Sequence, residues 1–131
     1  MFPTRLPCRR GKAPSTPLAP IHRVEGAAIA AAAALAFVSA GFAWWWLLVL
    51  FLIFDLSALG YAWSNRAGAV GYNLVHNYAV PAILAATFAL MLMAGIPAWP
   101  LAFIAGCWFF HIGVDRALGY GPRPTTEPIR R

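Results

Sequence analysis

The sequence predicts an all-α membrane protein, a bundle of four membrane-spanning helices. Three observations carry this prediction. The 131 residues are 61% hydrophobic and 11% charged, against about 25% charged in a soluble domain, and mean hydropathy is +0.67. The apolar residues gather into four stretches of crossing length joined by short turns. Lys and Arg outnumber Asp and Glu by 10 to 4, a net charge of +6, and every basic residue can be placed on one side of a membrane. In a soluble chain that excess would suggest nucleic acid. At the flanks of apolar spans it sets topology and meets anionic headgroups, so membrane lipids are the expected partners and nucleic acid is not.

Residues 1–22 combine Pro3, Pro7, Pro14, Pro17 and Pro20 with Arg5, Arg9, Arg10 and Lys12. Such a stretch buries too little apolar surface to offset its ordering entropy. It reads as a disordered basic tail, or as an over-extended start. The four spans are residues 24–40, 44–61, 68–93 and 99–118, and residues 121–131 form a C-terminal tail. A crossing helix needs about 20 residues, in a range of roughly 17–25. The first span is near the short limit, and the third is long enough to tilt. Pro81 falls inside the third span, where it removes a backbone donor and predicts a kink. The first span has a second reading as a cleavable signal, with Val38-Ser39-Ala40 as the processing site.

With four crossings, Arg23 and the tail before it, Arg66, Arg116, Arg123, Arg130 and Arg131 all fall on one side. The positive-inside rule makes that side cytoplasmic, for both termini. Trp44, Trp45, Trp46 and Trp99 then form an aromatic belt at the opposite interface. Cys8 lies in the tail and Cys107 in a span, so no disulfide is expected. There is also an internal echo: residues 51–61 read FLIFDLSALGY and residues 110–120 read FHIGVDRALGY. A duplicated helical hairpin would give this pattern. So would two similar helix ends with a stopping Gly and an anchoring Tyr.

The polar groups within the spans are few: Glu25, Asp55, Asn73, His76, His111 and Asp115, with Tyr61, Tyr72 and Tyr120 near the edges. At 1.5 Å per residue, Asp55 lies roughly 9 Å below Tyr61, and Asp115 roughly 8 Å below Tyr120. His76 and His111 lie roughly 12 and 14 Å below the same end, and Glu25 sits at the mouth. Four helices thus send ionisable groups toward one layer. Each charged residue deep in a bilayer costs about 2.5–3.5 kcal/mol on insertion scales, so such groups should face one another. His111 and Asp115 are four residues apart and share a helix face, and Asn73 and His76, three apart, share another.

Three chemistries fit. The first is a metal site with His76, His111 and Asp115 as ligands to Zn, Mn or Fe, with Asp55 or Glu25 as general base. Asp115 could instead orient His111 from behind. Paired axial His76 and His111 on a haem is a variant, disfavoured if Asp115 engages His111. The second is a proton or small-solute path with the carboxylates and imidazoles as relay. The third is a hydrogen-bonded network, including Tyr72, Asn73 and Tyr120, that only fixes the bundle. No HExxH signature is present. Arg116 marks the basic side and could also bind an anionic headgroup or substrate. A bundle this small can enclose a path with a second copy, so a homodimer fits.

The motifs Arg23-x-Glu25-Gly26, Asp55-Leu-Ser57-Ala-Leu-Gly60-Tyr61, Gly68-Ala69-x-x-Tyr72-Asn73-x-x-His76-x-Tyr78 and His111-Ile-Gly113-x-Asp115-Arg116-x-Leu118-Gly119-Tyr120-Gly121 resemble the domain-of-unknown-function 4260 family. The resemblance covers about residues 23–121. It departs at Phe54 and Ala58, where the family commonly has Pro and Met, and at Pro122-Arg123, where the family tends to have Leu-Lys. It implies a four-helix bacterial inner-membrane protein and no particular activity. The residues themselves point to an intramembrane, metal-dependent hydrolase acting on a lipid-like substrate, with proton-coupled transport and a purely structural role as alternatives.

Overall fold

The computed structural model describes residues 19–123. Among them there are helices and turns and no strands. The helices are α1 (Ala19–Ser39), α2 (Trp45–Asp55), α3 (Asn65–Val75), α4 (Ala79–Met93) and α5 (Trp99–Leu118), and a 3-10 segment, Leu56–Ala62, continues α2. They make four runs long and apolar enough to cross a membrane: Pro20–Ser39, Trp45–Ala62, Asn65–Met93 and Trp99–Leu118. The all-α, four-span fold is therefore as the sequence predicts, and it fits a multi-pass membrane protein. α1 begins at Ala19, so residues 19–22 are helix and not tail. The rest of the expected tails, residues 1–18 and 124–131, lies outside the described residues.

α5 is the central element. It packs against α1, α2 and α4 and buries Ala105, Cys107, His111, Ile112, Gly113 and Asp115. The closest crossing is between α1 and α5. A Cβ on Gly113 would lie 2.7 Å from the Ala30 nitrogen, and one on Gly26 would lie 2.8 Å from the Gly113 oxygen. Only residues without a side chain let the two backbones approach this closely, the small-residue packing typical of helices in lipid. Arg23 Nε donates to the Ala117 carbonyl at 2.9 Å, which ties the start of α1 to the end of α5. At the other end, Phe37, Leu47 and Cys107 form a buried cluster backed by Phe42 and Phe103. Trp44, Trp45, Trp46 and Trp99 are exposed there, as a belt requires.

The two echoed segments differ in conformation. After Asp55 the chain tightens into the 3-10 segment, whereas α5 stays α-helical to Leu118 and stops at Gly119, whose φ of 96° is left-handed. Gly60 is not a stop. A Cβ there would lie 3.0 Å from the Ala67 oxygen and 3.1 Å from Gly68 Cα, so its role is to let the 3-10 segment lie against α3. At about 2.0 Å per residue, Asp55 stands about 12 Å from Tyr61, deeper than an α-helix would put it.

Candidate metal centre

The third span is two helices. α3 ends at Val75, His76–Tyr78 form an irregular turn, and α4 restarts at Ala79. Pro81, in the first turn of α4, is the cause. Its ring excludes the carbonyl four residues back, that of Asn77, from a helical position, so the break lies upstream of the proline and not at it. Carbonyls freed inside a membrane must find donors, and those of residues 72–76 do. Tyr72 O accepts from His76 N at 2.8 Å and from His76 Nδ1 at 2.9 Å. Asn73 O and Leu74 O accept from Asn77 Nδ2 at 3.0 and 2.5 Å. Val75 O accepts from Trp108 Nε1 at 2.6 Å, and Arg116 Nη2 reaches His76 O at 3.5 Å. Asn77 Oδ1 in turn accepts from Ala79 N at 2.9 Å, which starts α4.

This break aims His76. Its Nδ1 faces a carbonyl, which only accepts, so Nδ1 carries the proton and the neutral ring presents a lone pair at Nε2. That atom lies 2.8 Å from His111 Nε2 and 3.1 Å from Asp115 Oδ2. Asp55 Oδ1 completes the group at 4.0 Å from His76 Nε2 and 3.8 Å from His111 Nε2. Tyr72 OH donates to Asp115 Oδ2 at 3.3 Å, and the Tyr72 ring stacks on that of His76 at 3.7 Å. Phe51 and Phe54 pack on His111, with centroids 4.4 and 5.4 Å away, so its other flank is apolar.

One donor atom from each of Asp55, His76, His111 and Asp115 lies within 4.8 Å of all the others. Four donors about 2.0–2.2 Å from one tetrahedral ion stand roughly 3.3–3.6 Å apart. The separations among His76, His111 and Asp115 are 2.8, 3.1 and 4.0 Å, which straddle that spacing, and Asp55 stands 3.8–4.0 Å from the two imidazoles, so small side-chain adjustments would bring the first three onto one ion with Asp55 beside it. His76 also has the backbone acceptor behind it that orients a ligating imidazole. The His111 Nδ1 is buried without a partner. Burial is graded: His111 is 0% exposed and Asp55 49%, so Asp55 is the open side.

The remaining residues singled out by sequence fall into three places. Tyr72 belongs to the cluster. Asn73 does not touch it; its side chain clasps the backbone of Arg123, accepting at 2.6 Å and donating at 2.7 Å, and the Arg123 guanidinium lies 5.2 Å from the Tyr72 ring centre. Arg123 is thus held against the Tyr72 side of the cluster. Tyr120 is exposed at the end of α5. Glu25 is not brought to the cluster. It is exposed and faces His22 Nδ1 at 3.3 Å, because Gly26 is the residue of that turn that faces α5. Arg116 bridges the cluster's surroundings and a separate cleft on α1. Sequence reasoning passed over Trp108 and Asn77, which close the broken backbone; an Asn four residues before a proline was the available signal.

No curated protein and no solved structure matches this chain. A family model does, over residues 19–127, and its description is a domain of unknown function, DUF4260. The match takes in every described helix and all the residues of the His/Asp cluster, and so the chain belongs to the DUF4260 family.

Proposed function

We propose that the cluster binds a single divalent ion, Zn, Mn or Fe, and that the protein is a metal-dependent hydrolase of a lipid-like ester or phosphoester. The observation that carries this reading is the convergence of two imidazole Nε2 atoms and two carboxylates within 4.8 Å. Four ionisable groups from three helical runs exceed what a purely structural network needs, since interhelical hydrogen bonds in membranes are worth about 0.6 kcal/mol on average. His76, His111 and Asp115 are the ligands, and Tyr72 steadies Asp115. An ion held there supplies Lewis-acid polarisation of the scissile group. Asp55, half-exposed beside both imidazoles, takes the proton from the attacking water. Glu25 has no part in this arrangement. The basic end, which carries Arg23, Arg66, Arg116 and Arg123, faces the cytoplasm of a bacterial inner membrane, and substrate arrives at headgroup depth.

The test is turnover of fluorogenic phospholipid and acyl-ester substrates in mixed micelles. Wild type should cleave after Zn, Mn or Fe is added back. Asp55→Asn should keep the metal and lose about 10²–10⁴-fold in rate, the usual contribution of a general base. Metal-loaded wild type with no turnover on any ester class would defeat the hydrolase reading.

One observation favours a second reading. His76 Nε2 stands 2.8 Å from His111 Nε2 and 3.1 Å from Asp115 Oδ2, which Tyr72 OH meets at 3.3 Å, so a proton taken up at His76 Nε2 would have an acceptor on either side, as a proton path needs. In that case proteoliposomes should show pH-driven flux that Asp55→Asn and Asp115→Asn abolish, and no metal.

A further inference from the structure

α1 and α4 both lie on α5 but share no packed seam, which leaves a groove along α5. It runs on the far side from the His/Asp cluster: Phe109 lines it, and His111 is two residues on, about 200° around the helix. Toward the Trp belt the groove is a cavity of about 270 Å³, apolar throughout, with Ala33 and Ala36 from α1, Ala85 and Phe88 from α4, and Gly106 from α5 among its walls. Toward the basic end lies a second hollow, a cleft of about 300 Å³ between His22, Glu25, Ile29, Tyr78 and Arg116, one turn of α1 from the cavity (Ile29 to Ala33). The two share a wall, since the Tyr78 ring stacks on Phe109 at 6.0 Å. From Glu25 to Ala33 is eight residues, about 12 Å of helix, within the roughly 15 Å of one leaflet's hydrocarbon.

The polar end has an unusual composition for a site at this depth. A carboxylate and a guanidinium line the same cleft, yet Glu25 bonds to His22 and Arg116 to the His76 carbonyl. Beside them the Tyr78 hydroxyl is buried without a partner. Separated opposite charges with a spare hydroxyl, continued by an apolar trough, match a zwitterionic headgroup joined to an acyl chain. A phosphate fits Arg116 and the Tyr78 hydroxyl. A primary ammonium, with three N–H donors, fits Glu25. A quaternary ammonium has no donor to give and is held instead by aromatic cages, which this cleft lacks.

We propose that this groove is a specific site for one aminophospholipid, with its ammonium on Glu25, its phosphate on Arg116 and Tyr78, and one acyl chain along the Ala-lined trough. The site does not depend on a metal in the cluster. It assigns Glu25 a role that the His/Asp cluster denies it.

The test is native mass spectrometry of the detergent-solubilised protein with phosphatidylethanolamine, phosphatidylcholine and phosphatidylglycerol of identical acyl chains. One phosphatidylethanolamine should be retained per chain, favoured about tenfold over the other two, the ratio one charge-assisted hydrogen bond gives. Glu25→Gln should reduce phosphatidylethanolamine to the phosphatidylcholine level while leaving phosphatidylcholine unchanged. Arg116→Gln should weaken both, and Ala36→Phe, which fills the trough, should weaken all three. Thermal melts of each variant identify any that fail to fold; Glu25 is exposed, so its variant is the decisive one. Equal retention of the three lipids, a preference for phosphatidylglycerol, or a preference unchanged in Glu25→Gln would overturn the proposal.

Discussion

Asp115 is the residue on which the cluster turns. It is 11% exposed and lies against His76 at 3.1 Å, His111 at 4.0 Å and Tyr72 at 3.3 Å. An interior carboxylate is tolerated only with such partners. Tyr72→Phe removes one neutral donor and leaves both imidazoles, so it should cost about 0.5–1.5 kcal/mol, read as a small drop in melting temperature with metal retained. Asp115→Leu strips His76 of its anionic partner as well. It should abolish metal binding, read by elemental analysis, and lower the melting temperature more than Tyr72→Phe does, since it removes the acceptor of Tyr72 OH as well. The imidazoles and carboxylates of the cluster were legible in sequence because depth can be counted along a helix. Glu25 shows the limit of that count. Its place near the start of α1 can be counted, but one residue is about 100° of azimuth, and nothing in the sequence alone said that Gly26, not Glu25, would face α5.

At the scale of elements, the broken third span gives the site its shape. Hydropathy reads residues 65–93 as one run, and averaging over a window hides a three-residue turn inside it. Pro81 did announce an irregularity, but the distortion falls at the residue whose carbonyl the ring displaces, so His76 gained its orientation from a proline five positions later. Asn77 is the key to the turn. Asn77→Ala would leave two carbonyls and the Ala79 N–H without their side-chain partner. Groups that face lipid have no water to turn to, so the substitution should lower the melting temperature measurably while sparing every ligand. The change to a 3-10 segment after Asp55 was also hidden, because the same Ala-Leu-Gly-Tyr sequence is 3-10 and close-packed at 58–61 and α-helical up to a left-handed stop at 117–120. The α1–α5 crossing makes a further check. Gly113→Ala puts a methyl 2.7 Å from the Ala30 nitrogen and should cost about 1–3 kcal/mol by forcing the helices apart, whereas Ala at Gly71 meets only the Ser57 oxygen at 3.4 Å, an ordinary contact.

For the molecule as a whole, an even number of crossings returns both ends to one side, and the Arg23 to Ala117 bond confirms that the two ends of the described chain meet. The basic residues at that end predict a cytoplasmic location. Reporter fusions should show cytoplasmic activity when placed after Arg123 and periplasmic activity when placed at Gly41 or Gly95; the reverse pattern would place the cluster in the outer leaflet. The architecture also explains why the four-helix fold was readable and the site only partly so. Crossing number and belt follow from where lipid and water must lie, which composition records directly. The meeting of Asp55 with the two imidazoles depends on how the 3-10 segment and the broken helix turn their side chains, which no period in the sequence reports.

The metal reading rests on His76, His111 and Asp115 as ligands, with Asp55 beside them as base. Elemental analysis of the detergent-purified protein, prepared without chelators, beside its His76→Ala/His111→Ala double mutant tests it most directly. The account predicts close to one Zn, Mn or Fe per chain in the wild type and none in the mutant. Equal and negligible metal in both proteins, after add-back of each ion, would contradict it and leave a proton relay or a structural network as the cluster's function.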